Sequence, residues 1–548
     1  MSNFNPAFEI PIGKRTKKYR FFEMLPGILT WSILALPVVL SIIDPSSRLA
    51  AIFILFFMMS WFYRAVAMAF RMLQGYNRLQ ESNKNNWQSW LGDISTAKES
   101  VKRLQARKKL SRSEKVHLEN LQHYLVDPTI HDMRPEDLLH LIIVPMWKES
   151  YEVIAPTIDS IINSRYDSKR VILVMAYEKR GGEEPKQTAH DLIKHYGKHF
   201  YATDVIEHPD NLPNEVIGKG GNITWAARQY VPKLLKTGIS PEHVIVTSLD
   251  ADNRVHRDYL AHVAYAYILT KDRKHRSYQP LALYTNNIWD VPAPMRVMAV
   301  GNTFFTIMQS VRPHMLRNFS SHAQSLDALI ETDYWSVRTV VEDGHQFWRS
   351  YFAFGGNHHV VPIYSPTYQD AVLSDKYTQT LRAQFTQVQR WAYGASDIAY
   401  IANLGLRRKQ DRVVPLWDMI LKFFRLLDTH VSWGTVSLLL LLAARIPLFI
   451  GPNADKSIVA HQLPIIASYA QTLAMTGLFI SIFLSMRLLP PRPERYKRHR
   501  TVFMVLQWVL LPVTSILYGT LAALNSQTRL LIGKYLDEFK LTHKGVKK

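Results

Sequence analysis

The sequence predicts an α/β domain, built on a mixed but mostly parallel sheet, that is inserted between transmembrane α-helical segments. Apolar segments long enough to cross a bilayer lie near both ends of the 548-residue chain. Between them, short runs rich in Val, Ile and Leu alternate with stretches of helical spacing, which is typical of strands buried on both faces of a parallel sheet. The runs are "LLHLIIVP", "RVILVMAY", "HVIVTSLD" and "LALYTNN".

Five segments are apolar enough to span a membrane. Three of them contain no charged residue, and the other two contain one arginine each, Arg64 and Arg445, near a segment end. Each reaches the roughly 20 residues that a transmembrane helix needs. The first is not a cleaved secretory signal, because its apolar part is long and a second segment follows at once. The segments are 24–43, 49–70, 429–450, 457–486 and 501–528.

The distribution of Lys and Arg predicts the orientation in the membrane. The basic stretch "GKRTKKYR" (13–20) precedes the first segment, so the N-terminus is expected in the cytosol. The first two segments then form a hairpin that leaves 71–427 on the cytosolic side. We therefore expect a multi-pass protein of the plasma membrane whose N-terminus and α/β domain are cytosolic.

The C-terminal part of the chain leaves the number of crossings open. The loop "RLLPPRPERYKRHR" (487–500) and the tail (534–548) are both basic and expected inside. A single crossing at 501–528 would place the tail outside. Pro512 divides that stretch, so a re-entrant or two-leg hairpin is an alternative. The sequence is compatible with five or six membrane segments.

The composition excludes several kinds of site and partner. The chain has no cysteine, which rules out disulfides, thiolate zinc sites and cysteine nucleophiles. The formal net charge of +21 indicates an anionic partner, such as a nucleic acid, a membrane surface or a nucleotide. Since basic stretches flank the apolar segments, membrane topology accounts for most of this charge. We therefore expect membrane lipids, and no nucleic acid, among the partners.

These patterns divide the chain into six parts. A charged, Gln- and Asn-rich stretch of helical spacing separates the first two apolar segments from the α/β domain, and we interpret it as a solvated helical linker. The predicted parts are an N-terminal membrane hairpin (1–75), the linker (76–137), the α/β domain (138–377), interfacial amphipathic helices (378–427), a C-terminal membrane block of three or four segments (428–533) and a basic cytosolic tail (534–548).

Candidate site residues follow the predicted strands, because ligands of open parallel sheets bind beyond the carboxyl ends of the strands. Glu149 and Glu178 follow the first two runs. The third run ends at Asp250, and Asp252 lies two residues further. Two carboxylates at this spacing in extended chain point the same way and repel each other unless a cation neutralises them. Mg²⁺ or Mn²⁺, held by carboxylate and phosphate oxygens, is the expected cofactor.

Two further stretches contain candidate site residues. In "GKGGN" (218–222) the glycines either form a simple turn or let the backbone approach a nucleotide, to which Lys219 offers charge. The stretch is not a P-loop. In "VVEDGHQFW", Glu342 and Asp343 are adjacent carboxylates, which are either solvated or able to take a proton from a hydroxyl within hydrogen-bond reach. His345 is a rival base.

The stretch "TQVQRW" (386–391) predicts an amphipathic helix with two different faces. One face carries apolar residues at helical spacing, namely Leu381, Phe385, Val388 and Ala392. Another face carries Gln387, Arg390 and Trp391, which are related by three and four positions and so lie together. A guanidinium that can bind a diphosphate and a flat aromatic ring therefore project side by side.

In their order along the chain, these stretches resemble the membrane-integrated family 2 glycosyltransferases of the cellulose, chitin and hyaluronan synthase type. The matching stretches are "IIVPMWKES", "GKGGN", "VTSLDADNRVHRDYL", "VVEDG" and "QVQRW". The layout also agrees, with two N-terminal spans, a cytosolic domain of the Rossmann-like GT-A fold and a C-terminal membrane block. The resemblance covers nearly the whole chain except 71–137.

The resemblance implies a role for each candidate residue. Asp250 and Asp252 would hold the metal and the donor diphosphate, and Asp343 would be the catalytic base. The residues implied at the nucleotide-sugar site are Pro145, Glu149, Glu178, Lys219, Asp250, Asp252 and Arg390. The residues implied at the acceptor are Trp391, Gln387, Glu342, Ser321, His322 and Gln324.

Two stretches depart from the pattern of the family. Glu178 stands where many relatives carry an Asp that contacts the uracil. The stretch "NFSSHAQSLDAL" (318–329) stands where relatives often have a Gly-rich acceptor loop followed by an Arg pair. These departures concern the specificity for the nucleobase of the donor and for the acceptor.

Three functions are weighed on this basis. The resemblance implies inverting, metal-dependent transfer of a sugar from a nucleotide donor, a UDP-sugar, at the cytosolic membrane face. We expect the acceptor to be a growing glycan that the enzyme extends processively and exports through its own membrane block. The alternative is a non-processive transferase with a lipid acceptor. A transporter or membrane receptor is disfavoured, because the membrane segments contain few charges that could form an ion path.

Overall fold

The computed structural model describes residues 8–536 of the chain. Most of the predicted tail (534–548) therefore lies outside the described residues. The N-terminal part consists of two long helices followed by three short ones. These are α1 (Lys17–Ile43), α2 (Arg48–Lys84), α3 (Trp87–Ser95), α4 (Ala97–Gln105) and α5 (Arg112–Val126).

The central part is an α/β domain whose strands and helices mostly alternate. Its first half contains β1 (Leu139–Met146), α6 (Tyr151–Ile162), β2 (Val171–Glu178), α7 (Glu183–Tyr196), β3 (Ala202–His208), α8 (Lys219–Leu235) and β4 (Val244–Ser248). Its second half contains β5 (Arg254–Val255), α9 (Tyr259–Leu269), β6 (Arg276–Leu283), α10 (Ala293–Ser310), β7 (His322–Ser325), α11 (Leu326–Glu331), α12 (Glu342–Ala353) and β8 (His359–Tyr368).

The eight strands form one mixed sheet in the order β3-β2-β1-β4-β7-β6-β8-β5. Strands β1 to β4 pair in parallel, and β6 pairs in parallel with β8. Strand β7 is antiparallel to both of its neighbours, and β5 is antiparallel to β8. The predicted fold class, a mixed and mostly parallel α/β sheet inserted between apolar helices, is confirmed.

The sheet is buried on both faces, as its apolar strands predict. Along β1, Leu141 and Ile143 pack with residues of α8. Ile142 and Val144 point to the opposite face and pack with residues of α6 and α9. Successive side chains of a strand alternate between faces, so a continuous apolar run fills both cores.

Helices α3 to α5 pack on the α/β domain at α9. The Trp87 ring stacks on the His262 ring with centroids 3.4 Å apart, and the Trp90 ring stacks on the His117 ring at 4.5 Å. Trp87 is only 9 % exposed and belongs to the same apolar core as β1 and β2. The predicted linker (76–137) is thus a packed layer of the domain, joined to it through aromatic side chains.

The C-terminal part is helical. Its helices are α13 (Tyr377–Ala392), α14 (Asp397–Gly405), α15 (Leu416–Leu442), α16 (Ile446–Ile450), α17 (Ile458–Leu488), α18 (His499–Leu506), α19 (Leu511–Thr514) and α20 (Leu521–Ile532). Five helical stretches are long and apolar enough to cross a membrane: Lys17–Ile43, Arg48–Lys84, Leu416–Ile450, Ile458–Leu488 and His499–Ile532. They coincide with the five segments predicted from the sequence, which indicates a membrane protein.

The turns that end two of these stretches meet far from the α/β domain. The backbone N–H of Asn453, in the turn before α17, donates to the carbonyl of Pro45, in the turn between α1 and α2, over 3.1 Å. The Ser47 hydroxyl donates to the Pro447 carbonyl over 3.3 Å. The hairpin of α1 and α2 and the pair of α15 and α17 therefore reach the same far side.

The last stretch, His499–Ile532, has both of its ends on the side of the α/β domain. Near its start, Gln507 accepts a hydrogen bond of 2.5 Å from Arg296 of α10. At its end, the Leu531 carbonyl accepts a hydrogen bond of 2.7 Å from Arg20, in the first turn of α1. Its middle also packs on this side, since Tyr518 belongs to the same apolar core as Leu283 of β6.

Candidate active site

A cavity of about 950 Å³ lies at the carboxyl ends of β1, β2 and β4. The α/β domain, including α10, forms one wall, and residues of α2, α13 and α15 form the rest. The predicted site residues that line the cavity are Pro145, Glu149, Glu178, Lys219, Asp250, Asp252, Glu342, Asp343, Gln387, Arg390 and Trp391. The three that do not line it are Ser321, His322 and Gln324.

Asp250 and Asp252 lie in the turn that follows β4. The Asp250 carboxylate is partly exposed to the cavity, and its Oδ1 is 2.5 Å from the Nζ atom of Lys219. Asp252 is buried, and its Oδ2 accepts a hydrogen bond of 3.3 Å from the backbone N–H of Asp370. Each carboxylate is therefore held in place by a different neighbour.

Lys219 is the first residue of α8, where it lies among three carboxylates. Its Nζ is 3.9 Å from Glu342 Oε1 and also donates to the Ser320 carbonyl over 3.2 Å. Burial opposes its positive charge, but Asp250, Glu342 and Asp343 raise its pKa. Lys219 is thus a fixed cation in the centre of the acidic cluster.

The glycines of "GKGGN" allow α8 to pack closely on the start of α12. A Cβ at Gly220 would lie 2.5 Å from the Ser336 carbonyl oxygen and 3.0 Å from the Glu342 Cβ. Both contacts are too short for any side chain larger than hydrogen. This packing places Lys219, at the helix N-terminus, next to the carboxylates of α12.

Ser320 connects the two acidic parts of the cavity, and sequence analysis did not identify it. Its hydroxyl donates to Asp250 and accepts from the side-chain amides of Asn253 (3.2 Å) and Gln369 (2.9 Å). Its backbone N–H donates to Asp343 Oδ2 over 2.6 Å. Ser320 has a φ of 50°, which is uncommon for a residue other than glycine and indicates backbone held by its contacts.

Glu342 and Asp343 begin α12 but have different surroundings. Glu342 is 4 % exposed, and burial together with the charge of Asp343 raises its pKa to about 7. Asp343 is half-buried and lines the cavity; its Oδ1 accepts from the backbone N–H of Gly344 over 2.7 Å. Both carboxylates line the cavity, and Asp343 is the more exposed of the two.

Helix α13 forms the opposite wall of the cavity with Gln387, Arg390 and Trp391. Burial lowers the pKa of Arg390, while the charges of Glu342 and Asp343 oppose that effect. The Trp391 ring lies 6.4 Å from the Tyr284 ring, centroid to centroid, at an angle of 61°. The guanidinium and the indole lie on one face of the helix. On the apolar face Val388 and Ala392 are buried, and Val388 also lines the cavity.

The ends of β1 and β2 form a second group of polar residues. The Glu178 carboxylate is paired with the Arg180 guanidinium, which lies 4.8 Å above the Trp147 ring. Burial raises the pKa of Glu178, and Arg180 opposes that effect. Glu149 Oε2 accepts from the backbone N–H of Trp147 over 2.7 Å. This end offers both charges and an aromatic ring to a polar ligand.

The three predicted residues outside the cavity lie in or beside β7, beneath its floor. Ser321 Oγ accepts from the backbone N–H of Asp250 over 3.1 Å. His322 Nε2 accepts from Trp335 Nε1 over 3.2 Å, and burial lowers the pKa of His322 to about 3, which leaves its ring uncharged. Gln324 donates to the Ser350 hydroxyl over 3.3 Å. They support the floor from below.

The donor set of the cavity fits a divalent cation only in part. Within residues 8–536, no three His, Asp or Glu side chains are grouped as ligands of one metal ion. Asp250 and Asp252 supply carboxylate oxygens, the ligand type that Mg²⁺ and Mn²⁺ prefer. Mg²⁺ sites with one or two protein carboxylates are usual when phosphate and water oxygens complete the coordination.

The cavity also extends away from the carboxylates, between the membrane helices, which the sequence did not predict. This half is lined by large aromatic and small polar side chains from α2, α10 and α15. They include Trp61, Tyr63, Phe305, Trp433 and Ser437. Aromatic faces with interspersed hydroxyls suit a sugar or the head of a lipid.

A scan against protein-family models finds no match, and neither does a search of curated proteins. Among solved structures, the chain is similar to the mannosyltransferase PcManGT from Pyrobaculum calidifontis in complex with GDP-Man and Mn²⁺, at 14 % identity and a TM-score of 0.37, covering 82 % of this chain and 100 % of that one. It is also similar to residues 1–349 of S. aureus TarS in complex with UDP-GlcNAc, at 14 % identity and a TM-score of 0.30, covering 59 % and 91 %.

Proposed function

We propose that the chain is an inverting glycosyltransferase of the GT-A type that transfers a sugar from a UDP-sugar to an acceptor at the cytosolic face of the membrane. One observation carries the proposal. Asp250, Lys219, Asp343 and Arg390, which belong to four separate stretches of sequence, converge in one cavity. Such a set combines a metal and diphosphate site with a base.

The donor binds with its diphosphate between α8 and α13. Lys219 and Arg390 are fixed cations on either side of Asp250, and a guanidinium binds phosphate oxygens with two parallel hydrogen bonds. A bound Mg²⁺ or Mn²⁺ at Asp250 and Asp252 would neutralise charge on the leaving diphosphate. The uridine lies toward Glu178, Glu149 and the Trp147 ring.

Asp343 acts as the general base. Its carboxylate takes the proton of an acceptor hydroxyl, whose oxygen attacks the anomeric carbon while the bond from that carbon to the UDP oxygen breaks. Hydrogen bonds from the backbone N–H groups of Ser320 and Gly344 hold the two oxygens of Asp343 in place. The neighbouring Glu342 is more buried, and burial together with the charge of Asp343 raises its pKa.

The acceptor occupies the half of the cavity that begins at Trp391 and continues between α2, α10 and α15. Its length and aromatic lining support a growing glycan that is extended processively and passes into the membrane block. A lipid acceptor handled in single transfers is the second candidate, because the same half of the cavity also reaches the outer face of α2 at Tyr63.

We also propose that four helices cross the membrane, with both ends of the chain and the α/β domain in the cytosol. The four are α1, α2, the stretch Leu416–Ile450 and α17. The start, the middle and the end of the stretch His499–Ile532 all contact groups on the domain side. A last stretch that does not cross the membrane leaves the basic loop (487–500) and the basic tail on one side, as the positive-inside rule requires.

The test is a panel of labelled UDP-sugars with Mg²⁺ or Mn²⁺, incubated with the purified full-length protein, followed by sizing of the product. One sugar should be incorporated, EDTA should stop incorporation, and added metal should restore it. Long products support processive synthesis, and a single sugar on a lipid supports the second candidate. Absence of UDP release with every donor and metal would refute the proposal.

A further inference from the structure

The membrane-facing half of the cavity contains arginines that the proposed chemistry does not use. Arg64 and Arg71 of α2 and Arg312, just beyond α10, line it. Arg64 and Arg71 are seven residues apart and thus share one face of α2. Helix α2 packs directly on α10, since a Cβ at Gly75 would lie 2.5 Å from the Ile307 carbonyl oxygen. The three guanidinium groups therefore face a common space.

Only one of the three arginines is neutralised. Arg64 forms a forked ion pair with Asp428 of α15, with N–O distances of 2.8, 3.1 and 3.2 Å. Neither Arg71 nor Arg312 forms an ion pair within the described part of the chain. The Nε atom of Arg312 is buried and has no hydrogen-bond partner there. The cavity wall thus holds two unpaired cations beside a paired one.

The electrostatics of Arg312 indicate a positive potential in this space. Burial, followed by the charges of Arg71, Arg425 and Arg64, lowers the pKa of Arg312, and Asp428 opposes the effect only in part. Like charges gathered in a partly buried space are costly unless an anion joins them. The missing counter-charge is therefore expected from a ligand.

The position of the arginines identifies the kind of anion. Arg71 directly follows the apolar segment 49–70, so it lies at the depth where lipid phosphates lie. On the same wall, Met68 and Met308 provide an apolar surface. Tyr63 lines the cavity while being 75 % exposed on the outer face of α2, which gives a lateral entrance from the bilayer. A phosphate with an attached hydrocarbon chain fits both features.

We propose that Arg71 and Arg312 bind the phosphate of a membrane lipid at the lateral entrance of the cavity, with its hydrocarbon chain along α2. The proposal rests on the proposed function only in placing this lipid on the acceptor side. The phosphate belongs either to a phospholipid of the bilayer or to a lipid phosphate that serves as acceptor. Both sources, a phosphodiester in the first case and a phosphomonoester in the second, present negatively charged phosphate oxygens to the same guanidinium pair.

The test compares lipid retention by native mass spectrometry on purified full-length protein, with phosphatidylglycerol and undecaprenyl phosphate as probes. Wild-type protein should retain a probe, and the double variant Arg71→Gln/Arg312→Gln should bind it at least about tenfold more weakly, because two charged hydrogen bonds are lost. Arg78→Gln is the matched control, since Arg78 lies on α2 outside the cavity lining. Equal retention by the double variant and the wild type would overturn the proposal.

Further arms separate the two sources and guard against misfolding. Glycosylation of undecaprenyl phosphate in the presence of UDP-sugar identifies the acceptor as the source, whereas retention of phosphatidylglycerol without sugar transfer identifies a bilayer lipid. Arg71→Lys/Arg312→Lys keeps both charges and should recover part of the retention, which a misfolded chain would not. If wild type releases no UDP but still retains lipid through the arginines, the proposed function fails while the lipid site stands.

Discussion

Ser320 has an unusual place among the residues of the site, because one small side chain and its backbone serve two carboxylates. The hydroxyl donates to Asp250, a proposed metal ligand, and the N–H donates to Asp343, the proposed base. A shift of Ser320 would therefore change the distance between the proposed diphosphate site and the proposed base. Reactions of this kind are sensitive to such distances at the scale of an ångström.

The base assignment predicts different effects for two adjacent carboxylates. Asp343→Asn should lower transfer by about 10²- to 10⁴-fold with the Kd for UDP-sugar unchanged, because the shape is kept and only proton acceptance is lost. Glu342→Gln should lower it far less, since Glu342 is buried and its raised pKa lets it carry a proton near neutral pH. Rates of UDP release and calorimetric donor binding measure both. Near-wild-type turnover of Asp343→Asn would contradict the assignment.

Two substitutions at Ser320 separate its hydroxyl from its backbone. Ser320→Ala should lower kcat/KM by about tenfold, because Asp250 loses a charge-assisted hydrogen bond. Ser320→Gly loses the same bond but suits the φ of 50°. Equal losses in both variants indicate that the hydroxyl matters; recovery in Ser320→Gly alone would show that the backbone conformation matters instead. Steady-state kinetics across donor concentrations distinguish them.

At the scale of elements, the site depends on the contact between α8 and α12. Lys219 and Glu342 each stand at the first position of a helix, and Gly220 is the point where the two helices touch. The same contact orients the cation of one helix toward the carboxylates of the other. The distance between the two helices thus determines the distance between Lys219 and the carboxylates of α12.

Gly220→Ala is expected to damage both stability and activity. The added Cβ would meet the Ser336 carbonyl oxygen at 2.5 Å, and relieving that contact should cost about 1–3 kcal/mol of unfolding free energy. Gly92→Ala is the matched control, because Gly92 lies in α3 with open space around it and should gain slight stability. Thermal unfolding in detergent and UDP release measure the two effects. A melting temperature unchanged by Gly220→Ala would contradict the packing described.

The strands show which elements a single sequence can predict. β1, β2 and β4 lie within apolar runs that were expected to be strands, whereas β6 (Arg276–Leu283) overlaps the expected run "LALYTNN" only in its last three residues. β3 ("ATDVIEH") mixes polar and apolar residues, and β7 ("HAQS") is mostly polar. Neither has the continuous apolar run that predicts a buried strand, and β7 is recognised only through its pairing with β4. β7 resembles a ligand loop in sequence because Ser321, His322 and Gln324 are polar, yet their hydrogen bonds are internal. Only the pairing of strands reveals that.

The same limit applies to the site. Residues that follow apolar strands, such as Asp250 and Glu149, are predictable because sheet topology alone brings them together. Ser320 is not, since its role depends on partners from four stretches and on a positive φ. No sequence motif surrounds Arg71 or Arg312. They stand out only in the structure, where no carboxylate of the described residues forms an ion pair with either of them.

For the whole molecule, the proposed four crossings can be tested with single cysteines, because the natural chain has none. Ser46→Cys, in the turn between α1 and α2, should react with a membrane-impermeant maleimide in intact cells. Glu494→Cys and Lys534→Cys, on either side of the last apolar stretch, should react only after permeabilisation. Labelling of Lys534→Cys in intact cells would show that this stretch crosses the membrane.

A segment near residue 10 and the end of α20 both pack against α12. Glu9 pairs with Arg349 of α12 at 3.1 Å, and Ile10 and Leu530 belong to the same apolar core as Trp348. Two segments that lie very far apart in sequence therefore support the helix that carries Asp343. Loosening of either segment would shift the proposed base even if every residue that lines the cavity were unchanged.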